Sequence, residues 1–288
     1  MSRHSVVTET IEIHAGTSIR QLSVEGSGPV FVLLHGVYDR ADTWLGVLER
    51  LAAAGRRAVA IDLPAVHLLP RGEPILPRLD DIVAAVIRAQ GPQGVVLSGN
   101  SMGAGLTLRA AADPELPVRA AVPLSVPGFG YRPVITTAIG RYGPGEVVLS
   151  GVRLPARVFR GRLADPAVRY LLYTRGSDID PDNVRSFLTL CGDTRPIGRL
   201  LAGGRTLLRE FDAGYPEGPL PPTLIVHGRH DKLIPHRAAY RAQRRFPSAR
   251  VLILPASAHC PQVDDPATIT RILLEQARRG EKDRNRAG

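Results

Sequence analysis

Three separated stretches of this chain carry side chains that could together perform acyl transfer. The first is Val95-Val96-Leu97-Ser98-Gly99-Asn100-Ser101-Met102-Gly103, an apolar run that enters Gly-x-Ser-x-Gly and then a helical pattern. A strand turning sharply into a helix strains the serine backbone and leaves no room for side chains two positions away, so Gly99 and Gly103 are required beside Ser101. Such a turn exposes the hydroxyl and aims a helix N-terminus at the reaction centre. A serine hydroxyl needs a base. Of the eight histidines (4, 14, 35, 67, 227, 230, 236 and 259), only His259 lies late in the chain in a loop following a strand, within Ala258-His259-Cys260-Pro261. The base in turn needs an acid that fixes its tautomer, and Asp231 follows the apolar run Leu224-Ile225-Val226-His227-Gly228. The competing readings are an idle serine, an exposed loop histidine and an aspartate that caps a helix.

A fourth stretch supplies electrophilic assistance. Leu33-Leu34-His35-Gly36-Val37 ends another apolar run, and Gly36 lets the following backbone approach a ligand. The backbone N–H groups of Val37 and Met102 are the candidate oxyanion donors, a function whose loss commonly costs ~3 kcal/mol. His35 reads as a brace for this loop, with no part in proton transfer.

These residues need elements that bring them to one edge. A hairpin is predicted over residues 8–14 and 19–25, from the alternation of Ile11 and Ile13 and then Ile19, Leu22 and Val24. Residues 30–34 read as a strand buried on both faces. Helices at 45–54, 79–89 and 102–112 then alternate with strands at 57–62, 94–98 and 118–124. After a break the pattern resumes with a strand at 222–228, a helix at 235–246, a strand at 250–254 and a helix at 266–279. Strands alternating with helices imply a mainly parallel sheet covered on both sides. The predicted fold is therefore α/β, with a core from residues 1–125 and 221–279. Residues 126–220 read as a mostly helical cap insertion, and the charged residues 280–288 as a disordered tail.

Composition removes several classes. The 288 residues are 44% hydrophobic, enough for one large core. No stretch reaches the ~18 apolar residues of a membrane span, and the N-terminus lacks the apolar core of a secretion signal, so no stable membrane insertion and a cytoplasmic location are expected. The formal charge is +10, almost all from arginine, since Lys232 and Lys282 are the only lysines. The arginines sit singly or in pairs, without the dense basic run of a nucleic-acid binder. No nucleic-acid partner is expected. Cys191 and Cys260 match no metal spacing and read as two free thiols. Neither a metal nor a cofactor is called for.

Taken together, His35-Gly36, Gly99-Asn100-Ser101-Met102-Gly103, Gly228-Arg229-His230-Asp231 with Pro235, and Ala258-His259 with Asp265-Pro266 resemble the α/β-hydrolase family, in its branch of single-domain esterases and lipases. The resemblance spans roughly residues 30–279. It implies an eight-stranded, mostly parallel sheet and the chain order serine, aspartate, histidine seen here. It also implies that Trp44 packs beneath the oxyanion loop. The sequence departs from the family in two places. Relatives often read Asp-x-Pro-Gly-His-Gly where this chain has Asp62-Leu63-Pro64-Ala65-Val66-His67-Leu68, and they often carry histidine where it has Asn100.

The activity so implied is hydrolysis of a small to medium apolar carboxylic ester, or of a thioester, through an acyl-enzyme on Ser101. An alternative is hydrolysis of a carbon–carbon bond in ring-cleavage products, suggested by Asn100-Ser101-Met102-Gly103. The absence of a tryptophan shortly after His259 argues against it. A third reading is a non-catalytic receptor on the same fold, which would have no reason to retain Ser101, Asp231 and His259 together.

Overall fold

The computed structural model describes residues 6–66, 69, 73–133, 164–174 and 197–287. Eight strands form one sheet: β1 (Thr8–His14), β2 (Thr17–Val24), β3 (Ser27–Leu34), β4 (Arg56–Ile61), β5 (Val95–Asn100), β6 (Val118–Leu124), β7 (Leu224–Gly228) and β8 (Arg250–Leu254). Their order is β1-β2-β4-β3-β5-β6-β7-β8. β1–β2 and β2–β4 are antiparallel, and every later pairing is parallel. The helices are α1 (Leu45–Ala53), α2 (Ile75–Ala89), α3 (Met102–Ala111), α4 (Ala164–Leu172), α5 (Ile197–Asp212), α6 (Arg237–Arg245), the short α7 (Pro261–Asp264) and α8 (Pro266–Ala287). Two apolar layers flank the sheet. One holds Leu34, Leu79, Val86, Leu97 and Phe211, and the other Phe31, Leu33, Trp44, Leu48, Val226 and Leu273. The buried β3 and β5 feed both, which is why their sequences show no polar alternation.

The hairpin forms as the turn chemistry requires, but Ile11 and Ile13 are 71% and 76% exposed. They stand on the outermost strand, opposite Arg20 and Ser18, whereas Ile19, Leu22 and Val24 of the inner strand are buried. The second helix begins at Ile75, four residues before the periodicity suggests. Its N-cap, Pro74, offers no side-chain acceptor. The missing acceptor comes from α5: the Glu210 carboxylate accepts the N–H of Ile75 at 2.8 and 3.0 Å and that of Leu76 at 2.7 Å.

The expected tail is a correction. α8 continues to Ala287, because Gly280 lets the helix cross tightly over the backbone of Arg119 and Arg279 pairs with Glu275 one turn back at 2.9 Å. Between β6 and β7 the described residues contain α4 and α5. Cys191 and His67 lie outside the described residues.

Candidate active site

β3, β5, β6 and β7 all end on one edge of the sheet. Among the described non-glycine residues, positive φ occurs at Ala15 in the hairpin turn and at Tyr38, Ser101 and Ser125. The last three follow the ends of β3, β5 and β6. Such backbone costs of order 1–3 kcal/mol per residue and survives where the surroundings over-determine it.

Ser101 stands at the turn from β5 into α3 with φ 53° and ψ −113°. Its N–H donates to Leu124 O at 2.9 Å, and its carbonyl accepts Gly105 N–H at 3.0 Å. A Cβ on Gly99 would run into the backbone of Gly103, and one on Gly103 into the carbonyls of Leu34 and His35. The steric reading of Gly-x-Ser-x-Gly thus acquires named partners: the second glycine is needed by the β3 exit as much as by the turn itself.

Asp231 is fully buried. Its Oδ1 accepts the N–H groups of Leu233 at 2.8 Å and Ile234 at 2.9 Å. Its Oδ2 lies 2.8 Å from His259 Nδ1 and 3.1 Å from His227 Nε2. Burial pushes the carboxyl's proton affinity up. The attraction of His259 and the hydrogen bonds from His227 and His259 outweigh it and hold the group well below the usual carboxylate range. Asp231 is therefore an anion aimed at His259. With Nδ1–H committed to Asp231, the basic atom of His259 is Nε2.

The loop bearing His259 is fastened from several sides. His259 N–H and Cys260 N–H both donate to Leu172 O at the end of α4, at 3.1 and 3.2 Å. Asp264 accepts Ala258 N–H at 2.7 Å and Thr174 N–H at 3.0 Å. Asn100, buried beside Ser101, donates its amide to His259 O at 2.8 Å and accepts the Cys260 thiol at 3.6 Å. Asn100 is thus a strut between the two loops.

His35 is buried. Its Nδ1 lies 2.6 Å from Gly36 O, and Leu63 N–H donates to its Nε2 at 2.8 Å, so the ring bridges the β3 and β4 exits. Asp62 joins the same bridge by accepting Ala41 N–H at 2.7 Å. The loop after Asp62 keeps this docking despite losing both family glycines. Gly36 lies close enough to Ser101 that a Cβ there would sit 3.5 Å from the serine Cβ. Val37 follows directly. Met102 is the first residue of α3, where helix N–H groups have no intrahelical acceptor. Trp44 is wholly buried in the apolar layer that also holds Phe31 and Leu33.

Gly36, Val37, Ser101 and His259 line one cavity of about 260 Å³, and its walls include Leu172, Leu207, Leu208, Leu233 and Ile234. A larger groove of about 540 Å³ lies along α8, lined by charged residues such as Arg250, Glu275 and Lys282. It contains none of these side chains. Among the described residues no three His, Cys, Asp or Glu side chains are grouped to hold a metal ion, and no helix is long and apolar enough to cross a membrane.

Sequence reasoning overlooked His227, Asp264 and Leu172. His227 is a polar residue inside an otherwise apolar strand, and that was a usable signal. The carbonyl of Leu172 leaves no trace in a sequence.

Comparison with known proteins bears on the fold and the family. The model of the alpha/beta hydrolase family matches residues 31–272. An uncharacterised protein of Mycobacterium tuberculosis (strain ATCC 25618 / H37Rv) is 28% identical over 272 residues, covering 88% of this chain and 76% of its own length. The pimeloyl-[acyl-carrier protein] methyl ester esterase of Aeromonas hydrophila is 29% identical over 262 residues, covering 88% of this chain and 97% of its own. The solved carboxylesterase CesB of Bacillus subtilis superposes with a TM-score of 0.68 at 15% identity, covering 94% of this chain and 91% of that one, a likeness of fold.

Proposed function

The chain belongs to the alpha/beta hydrolase family, and on that premise we propose that it is a serine esterase acting on carboxylic esters with a small to medium apolar acyl group. Ser101 Oγ attacks the ester carbonyl while His259 Nε2 takes its proton. Asp231 stabilises the imidazolium so formed. The N–H groups of Val37 and Met102 receive the oxyanion. The tetrahedral adduct collapses as His259 returns the proton to the leaving alcohol. Water then releases the acid from Ser101 by the same steps.

One observation carries this reading: His259 Nδ1 is 2.8 Å from the buried Asp231 carboxylate, and the same imidazole lines an apolar cavity together with Ser101. The cavity walls favour an uncharged acyl chain over an anionic one. The relatives named as esterases support ester cleavage. α4 and α5, which lie in the expected cap segment 126–220, supply Leu172, Leu207 and Leu208 to the wall of the acyl site. Thioesters are cleaved by the same groups and enter as a second arm of the test.

The test is a panel of p-nitrophenyl esters and acyl thioesters of graded chain length, on wild type and Ser101→Ala, with fluorophosphonate labelling alongside. Wild type hydrolyses the short and medium esters and is labelled. Ser101→Ala loses roughly 10⁴-fold or more of kcat and is not labelled. A Ser101→Ala protein that retains wild-type turnover would refute the proposal.

A further inference from the structure

β7 ends in Val226-His227-Gly228, and the His227 side chain is 0% exposed. Its Nε2 lies 3.1 Å from Asp231 Oδ2 and 3.0 Å from the carbonyl oxygen of Ile234. A carbonyl and a carboxylate held as an anion can only accept, so Nε2 carries a proton shared between them. Among the described residues, His227 Nδ1 is buried without a partner. A proton there would be a buried donor with nothing to meet, at a full desolvation cost. The ring is therefore neutral, protonated on Nε2 alone.

We propose that His227 is a positioning residue for the acid–base pair: its Nε2–H, donated to the oxygen that also receives His259 Nδ1–H, holds the Asp231 carboxylate against His259 and limits the negative charge offered to it. The inference rests on the roles assigned above to Ser101, His259 and Asp231. Oδ1 is already held by two amides of the following turn. Without His227, Oδ2 would keep a single partner, the ring that gains and loses a proton in each cycle. A second, neutral donor stabilises the carboxylate by itself. It thereby lowers the pull on the His259 imidazolium, and His259 stays deprotonated, and so basic, to lower pH. The other titratable and charged groups facing this cluster among the described residues are Arg132, whose guanidinium donates to Asp231 O at 3.2 Å, His236, which interacts electrostatically with His227 and has Arg229 and Arg237 as neighbours, and Cys260, which faces Asp231.

Two measurements test it. The first needs no activity: ¹⁵N NMR of the histidine rings in the intact protein near neutral pH shows His227 as the Nε2–H tautomer. A Nδ1–H form overturns the proposal. The second follows the pH dependence of fluorophosphonate labelling and of kcat/KM for p-nitrophenyl butyrate. His227→Leu moves the acid limb up by about half a pH unit or more, lowers kcat roughly tenfold and leaves KM within about twofold. In His227→Gln the amide nitrogen replaces Nε2–H, and the limb returns to its wild-type position. A His227→Leu protein that folds and keeps the wild-type limb, or a Gln variant no better than Leu, refutes a positioning role. If His227→Leu does not fold, the NMR result and the unmoved limb of His227→Gln decide the matter. Wild type that resists the probe altogether instead sinks the esterase reading, a distinguishable outcome.

Discussion

Replacing Glu210 tests how the region bearing the acyl site is coupled to the sheet. Its carboxylate accepts two backbone N–H groups at the start of α2 from a position 135 residues away along the chain from Ile75. Glu210→Ala removes an N-cap acceptor, at roughly 0.5–2 kcal/mol, of which the charge facing the helix N-terminus accounts for about 0.3–1 kcal/mol. Pro74 is exposed, so water can reach the freed amides, and the expected total is roughly 1–2 kcal/mol. At about 2–4 °C per kcal/mol for a chain of this size, thermal melting should fall by roughly 2–8 °C. Glu210→Gln keeps an acceptor and loses only the charge, so its deficit should stay below about 1 kcal/mol.

A local cap separates the helix effect from the tether. Pro74 has φ −60° and ψ 137°, extended backbone of the kind an N-cap residue adopts. Pro74→Asp in the Glu210→Ala background should therefore recover about 1 kcal/mol of the loss. It cannot restore the link to α5, whose Leu207 and Leu208 line the cavity, so KM for a medium-chain ester should stay raised by roughly severalfold. Urea midpoints, melting temperatures and KM for the four proteins give the answer. A Glu210→Ala protein as stable as wild type refutes the reasoning, as does a double variant in which KM and stability recover together.

Other perturbations follow from the same geometry. Gly99→Ala drives a methyl group into the Gly103 backbone and should cost about 1–3 kcal/mol together with fluorophosphonate labelling; a stable, fully labelled variant would mean that the turn can open. Asp231→Asn should fold but lose roughly 10⁴-fold in kcat, read by p-nitrophenyl butyrate turnover. Because the Asp231 carboxyl is held below its unfolded value, its contribution to stability is present above an unfolded pKa of about 3.9 and is lost as pH falls below it. The urea midpoint of wild type should therefore decline in that window, and the Asp231→Asn midpoint should lack that part of the decline.

Much of this protein was legible from local rules. The apolar runs at 30–34 and 95–98 predicted strands buried on both faces, because only a doubly covered sheet accommodates unbroken aliphatic sequence. Gly99 and Gly103 reported a steric demand two residues either side of Ser101, and that demand stays local whatever the rest of the chain does. The order of Ser101, Asp231 and His259 followed from each standing at the carboxyl end of a predicted strand. Tertiary structure decided what no window of sequence contains. α2 begins at Ile75 because a distant glutamate caps it, and α8 persists past Gly280 because the glycine lets it lie on β6. Ile11 and Ile13 stay exposed because β1 ends up as the edge strand, although the same face buries Leu22 and Val24 one strand further in. His259 meets Asp231 because β7 and β8 become neighbours in the sheet. Propensity and periodicity act over one or two turns of chain, whereas hydrogen-bond partners and burial depend on which distant segments meet, and that is settled only when the whole sheet closes.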